Sequence, residues 1–167
     1  TNFDVGLCHI FELVDNTWQE TQQLQSDVFY KGGYFGFAVS MSSTTIAIVQ
    51  ASQADSLAGA IHLFKKGADG KYARFQILKP NGSFVSNDYY GYSIDLDEDT
   101  LVVGAPDYNA NLGVVEVFSK QPDESFAFLQ RIENTIGKSG DLFGNSVSVS
   151  KGLLAIGAPY ADIRHHN

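Results

Sequence analysis

The seventeen residues FGNSVSVSKGLLAIGAP, from Phe143 to Pro159, decide how this chain is read, because the same pattern occurs three times. YGYSIDLDEDTLVVGAP from Tyr90 and FGFAVSMSSTTIAIVQA from Phe35 align with it without a gap. Their second glycines, Gly36, Gly91 and Gly144, stand 55 and 53 residues apart. A second landmark keeps the same period: GLCHIF from Gly6, GAIHLF from Gly59 and GVVEVF from Gly113. Each is followed by a polar loop and then by an aromatic residue with a glutamine four positions on: Trp18 and Gln22, Tyr72 and Gln76, Phe126 and Gln130. Two independent landmarks on one period define an internal repeat.

Each period holds four short apolar or alternating runs parted by turn residues, with no useful stretch of helical periodicity. A four-stranded antiparallel unit of about 50 residues is the signature of a β-propeller blade. The fold class expected is therefore all-β, about three blade equivalents of four-stranded antiparallel sheets belonging to a larger β-propeller. With strands lettered A to D, residues 1–34 supply C and D of one blade. Residues 35–89 and 90–142 make two whole blades, and 143–167 supply A and B of another. That phase suggests a piece of a longer polypeptide or a ring closed by several chains. Strand C runs such as Val114, Val115, Val117 and Phe118 are read as apolar on both faces, because a blade is sandwiched between neighbours.

These motifs resemble the FG-GAP repeat of the N-terminal head of integrin α subunits. The pattern FGxSV…LxxGAP…GxVxVF runs from about Phe3 to Ile163. It is close at 90–118 and 143–159 and degenerate at 35–64, where Val49-Gln50-Ala51 replaces the GAP. The resemblance implies a propeller of seven blades and an extracellular or cell-surface binding module, with adhesion or assembly as its role. It also implies that partners meet the face built from the B–C and D–A loops. The A–B connections depart from the family's calcium-binding form. Ser42-Ser43-Thr44, Asp97-Glu98-Asp99 and Ser150-Lys151-Gly152 are tight turns, and Asp95, Asp97 and Asp99 are read as a solvated acidic hairpin because a Ca²⁺ cage needs a curling loop.

Composition narrows the function classes. With a net charge of −8 and 11 Lys plus Arg in 167 residues, no cluster suited to a phosphate backbone exists, so nucleic acid is not an expected partner. No apolar run reaches the roughly 18 residues of a membrane span, so direct membrane insertion is not expected either. A protein partner or self-assembly is expected, with carbohydrate as an alternative ligand. The further alternatives are a structural subunit of a filament or surface layer and an accessory propeller of a secreted enzyme. The lone Cys8 reads as a small apolar strand residue.

No enzyme motif is present: no Gly-x-Ser-x-Gly elbow, no His-Glu-x-x-His, no Cys-x-x-Cys. No catalytic residue and no cofactor are assigned. Asp107, Asn109 and Asn111 offer three oxygen side chains at alternate positions, the one candidate set for a cation such as calcium, set against the turn chemistry natural to Asp and Asn. His165-His166 is read as a polar loop. His9, His62 and Glu116 share one strand C position and are read as packing residues. Trp18 is read as structural. Asn81-Gly82-Ser83 is an N-glycosylation sequon in a D–A loop.

Overall fold

The computed structural model describes residues 5–27, 32–51 and 58–162. Among them are twelve strands: β1 Cys8–Val14, β2 Thr17–Leu24, β3 Phe35–Met41, β4 Thr45–Gln50, β5 Ala60–Lys66, β6 Tyr72–Leu78, β7 Ser93–Leu96, β8 Thr100–Ala105, β9 Val114–Lys120, β10 Phe126–Glu133, β11 Ser146–Ser150 and β12 Leu153–Gly157. They form two four-stranded antiparallel sheets, β3-β4-β5-β6 and β7-β8-β9-β10, and two two-stranded ones, β1-β2 and β11-β12. The architecture is all-β and blade-like. Strands β3, β7 and β11, the A strands, lie against one another where the sheets converge.

The repeat glycines are required by this stacking. In Tyr89-Tyr90-Gly91-Tyr92 the turn closes with Tyr92 N–H donating to Tyr89 O at 2.9 Å. Gly91 takes φ +87°, the left-handed value the third position of a type II turn demands. A Cβ there would also lie 2.7 Å from Val49 Cγ1 of the preceding sheet. The two landmarks touch between sheets: Gly6 bridges Phe35 and Gly113 bridges Phe143, and a Cβ on Gly113 would overlap the Phe143 carbonyl. Within a sheet the first landmark closes on itself, Gly91 N–H donating to Gly104 O and Gly144 N–H to Gly157 O, each at 3.0 Å.

A second device also recurs. β1-β2, β5-β6 and β9-β10 each carry a bulge that leaves one residue of the D strand unpaired, Thr21, Phe75 and Leu129. The next residue is the repeat glutamine. Gln22 Oε1 accepts from Tyr72 N–H and its Nε2 donates to Tyr72 O, both at 2.8 Å. Gln76 does the same to Phe126, again at 2.8 Å. The bulge re-aims the side chain across the gap, so each sheet grips the next.

Three cores fill the gaps between sheets; the one beside β11-β12 joins Val102 and Val115 to Val149. A second joins Ala47, Val49, Ile61 and Leu63 to Leu101, Val103, Val114, Phe118 and Phe126. Another joins Leu24, with Cys8 and Ile10, to Phe35, Ile46, Ile48 and Phe64. Cys8 is half-buried there, and burial pushes its thiol pKa up.

Three expectations need correction. Strand C is not apolar on both faces: His62 and Glu116 lie fully inside, 1% and 0% exposed. His62 Nε2 is matched by Gln50, and the Glu116 carboxylate by Arg131. His9, at the same strand position, is instead exposed beside Glu20 at 3.0 Å. Trp18 is not a packing residue in this chain. It is 67% exposed, because among the described residues no sheet stands on its side of β1-β2 as β1-β2 stands beside Tyr72.

The acidic hairpin is not simply solvated. Asp95 accepts from Ser40 Oγ of the preceding sheet at 3.0 Å, and from Ser148 Oγ at 3.2 Å and Val149 N–H at 2.7 Å of the following one. Asp97 accepts from Lys151 N–H at 2.6 Å, and Glu98 accepts from Ser43 N–H at 3.0 Å. These backbone donors hold both carboxyl groups below their usual range.

Candidate binding face

Each A strand starts, and each B strand ends, at the edge where the D–A and B–C loops gather. On this face Phe37 and Tyr92 follow the turn glycines at equivalent positions, and Tyr89 opens the turn of its repeat. The three rings form a row, Phe37 to Tyr92 at 6.1 Å between centroids and Tyr92 to Tyr89 at 6.3 Å. All three are exposed, at 43–47%. Sequence inspection missed the row because its members lie in two repeats, and only stacking brings them together. The repeat alignment held the signal, since Phe37 and Tyr92 share a column.

Beside the row lies a buried polar cluster. Arg131 donates to Glu116 Oε1 at 2.9 Å and to the Asn81 carbonyl, while Asn81 N–H donates to Glu116 Oε2 at 3.1 Å. The guanidinium lies 5.0 Å from the Phe84 centroid and 5.4 Å from that of Tyr108, a cation–π contact with two adjoining rings. Tyr90 is buried near the Glu116 carboxylate. Burial first, and that negative charge second, raise its phenol well above the ordinary range. The D–A loop is therefore pinned at Asn81 through its backbone, while the Asn81 residue itself is exposed.

Asp107, Asn109 and Asn111 belong to a tight turn at Tyr108–Asn111. Asn109, Ala110 and Asn111 all take positive φ, 51°, 56° and 66°. Asn tolerates that region better than most residues. Asn111 contributes its backbone carbonyl, which accepts from Gly140 and Leu142 N–H at 3.0 and 3.1 Å. Burial and the neighbouring Asp88 raise the Asp107 carboxyl. Among the described residues no group of three or more His, Cys, Asp or Glu side chains is placed to hold a metal. His165 and His166 lie outside the described residues, as does most of the first B–C loop.

In the preceding sheet, His62 Nε2 meets Gln50 Oε1 at 2.9 Å, and that oxygen also accepts from Ser26 Oγ at 3.0 Å. Gln50 occupies the column held by the GAP alanines Ala105 and Ala158. The degenerate repeat has thus replaced a small residue with an amide that satisfies a buried histidine.

Residues 84–118 and 130–167 match the family model of the FG-GAP repeat. These two segments are FG-GAP repeats. No curated protein matches the chain. The first match covers the Tyr90 turn, β7, β8 and β9; the second covers the Phe143 turn, β11 and β12. The FG-GAP motif at 35–64 lies outside both matches, yet it folds into the same four-stranded arrangement. FG-GAP propellers are generally non-catalytic and typical of extracellular or surface proteins. Among the described residues no helix is long and apolar enough to cross a membrane.

Proposed function

We propose that this FG-GAP chain is a non-catalytic extracellular binding module that engages its partner through the D–A and B–C loop face. The observation that carries the reading is the exposed row of Phe37, Tyr92 and Tyr89. Large, rigid, amphipathic rings supply contact area at low entropic cost, and contiguous exposed aromatic surface is uncommon away from interaction sites. The resemblance to integrin heads, whose partner face is the same end, supports the assignment. Asn81 serves as a glycan acceptor on that face, outside the aromatic row.

The test is a binding screen of the immobilised chain against extracellular-matrix proteins and glycans, the latter because the row is equally a cradle for a sugar face. A ligand of this site loses about tenfold or more in affinity with Tyr92→Ala or Tyr89→Ala and is unaffected by Phe75→Ala on the outer strand. Equal effects from all three variants, or none from the two tyrosines, refute the assignment. The mass of the chain secreted from eukaryotic cells, compared with Asn81→Gln, reads the glycan directly.

A further inference from the structure

Asn81-Gly82 is the single Asn-Gly pair of the sequence, and the fold holds one side of it while leaving the other open. The Asn81 N–H donates to Glu116 Oε2 at 3.1 Å, and the Asn81 carbonyl accepts from Arg131 Nη2. Both residues are nonetheless exposed. Among the described residues neither the Asn81 side-chain amide nor the Gly82 N–H has a hydrogen-bond partner. Gly82, at φ +115°, has no Cβ to keep an incoming group from its nitrogen.

That arrangement suits an attack of the Gly82 nitrogen on the side-chain carbonyl carbon of Asn81. The nucleophile is the deprotonated peptide nitrogen, whose charge is shared with the carbonyl oxygen of the same peptide. Arg131 holds that oxygen. A cationic donor bonded to the charged form favours it, so Arg131 makes the Gly82 N–H more acidic. The bond from Gly82 N to Asn81 Cγ forms, and ammonia leaves with Nδ2 and the Gly82 proton. A five-membered succinimide remains, which water can open at either carbonyl. Arg131 polarises the α-carbonyl, so water adds there, the bond from that carbon to Gly82 N breaks, and the nitrogen takes a proton from the water. The chain then runs through Cγ and the α-carboxylate is free, which is isoaspartate.

We propose that Asn81, wherever it carries no glycan, is a site of spontaneous isoaspartate formation directed by Arg131. The acidic pair Asp69-Gly70 lacks these features. Gly70 N–H donates to Gly67 O and Asp69 Oδ1 accepts from Lys71 N–H, each at 3.0 Å, so both reacting groups are held. Conversion at Asn81 adds a negative charge and one backbone atom to the D–A loop. The N–H of residue 81 stays on Glu116 and the new α-carboxylate takes the place of the carbonyl at Arg131. The anchor therefore survives, and Gly82 and Ser83 are displaced beyond it. A converted chain has also lost its glycan acceptor, so the two modifications exclude each other.

The test uses the full chain produced in bacteria, where Asn81 bears no glycan, incubated at neutral pH. Peptide mass spectrometry follows the conversion, and isoaspartyl methyltransferase reads the isomer. Asn81 should convert about tenfold or more faster than Asn16 and Asn111, exposed residues whose successors Thr17 and Leu112 carry a Cβ. The isoaspartate share should be higher in the folded chain than in the same chain unfolded in urea, since only folding brings Arg131 to the carbonyl. A double variant, Arg131→Gln with Glu116→Gln, shown to be folded by circular dichroism, should fall to the share of the unfolded chain. The urea comparison stands whether or not that variant folds. Conversion of Asn81 no faster than that of Asn16 and Asn111 overturns the proposal. So does an isomer share that is equal in the folded and unfolded chains, or unchanged in the folded double variant.

Discussion

Gln76 holds the Phe126 backbone from both sides, its Oε1 accepting from the N–H and its Nε2 donating to the carbonyl, each at 2.8 Å across the gap between two sheets. The main chain at Phe126 thereby meets an amide side chain that mimics a passing strand. The glutamine does this because the unpaired Phe75 turns it out of its own ladder.

Replacing Gln76 with alanine removes both bonds and leaves a partly buried N–H and C=O without partners. The expected loss is about 2 kcal/mol, at roughly 1 kcal/mol for each hydrogen bond. Gln130→Ala, in a monomeric chain, should change stability by less than about 0.5 kcal/mol. Urea unfolding of the two variants at low protein concentration makes the comparison.

Asp95 ties three sheets together, so its loss should exceed that of an ordinary hairpin acid. Asp95→Ala strands Ser40 Oγ and Val149 N–H and should cost about 2–3 kcal/mol. Asp95→Asn keeps one acceptor oxygen and should cost about half as much. Thermal midpoints of both variants decide, and equal stability of Asp95→Ala and the parent chain would count against the clasp.

His62 makes stability depend on pH. Burial, followed by the charge of Arg74, lowers its pKa to about 4, with Asp27 opposing. The native state then binds fewer protons than the unfolded chain, whose histidine titrates near 6.5. The stabilisation is complete above about pH 6.5 and is lost as pH falls toward about 4, up to about 3 kcal/mol from this group. Protonating Nδ1 would create a buried donor with no acceptor, since that atom has no partner among the described residues. His62→Gln should flatten the stability profile between pH 6.5 and 4, and an unchanged slope would show that another group titrates.

Glycines in the left-handed region are not alike. Gly91 and Gly113 combine φ of +87° and +84° with no room for a Cβ, so alanine there should cost more than about 3 kcal/mol or prevent folding. Gly152 has φ +78° but nothing within 4 Å, so Gly152→Ala should cost only about 1 kcal/mol. Denaturant midpoints of the three variants separate strain from crowding.

Much of the molecule was legible in the residues alone. The period, the four strands per repeat and the tight A–B turns follow from alternation, turn chemistry and recurrence, all local properties. The first landmark announces its glycines, because a conformation open to glycine and little else leaves its mark on one position. What a string of residues cannot express is which columns of different repeats meet. Asp95 between two serines, Gln76 on the Phe126 backbone and Phe37 beside Tyr92 all join residues 50 or more positions apart. Trp18 shows the same limit from the other side. Its column predicts burial, but burial requires a neighbouring sheet. Sequence periodicity determined the blade; the stacking of one blade on the next decided which polar groups are satisfied, which rings are covered and where a surface is left for a partner, because those depend on proximity across the gap rather than along the chain.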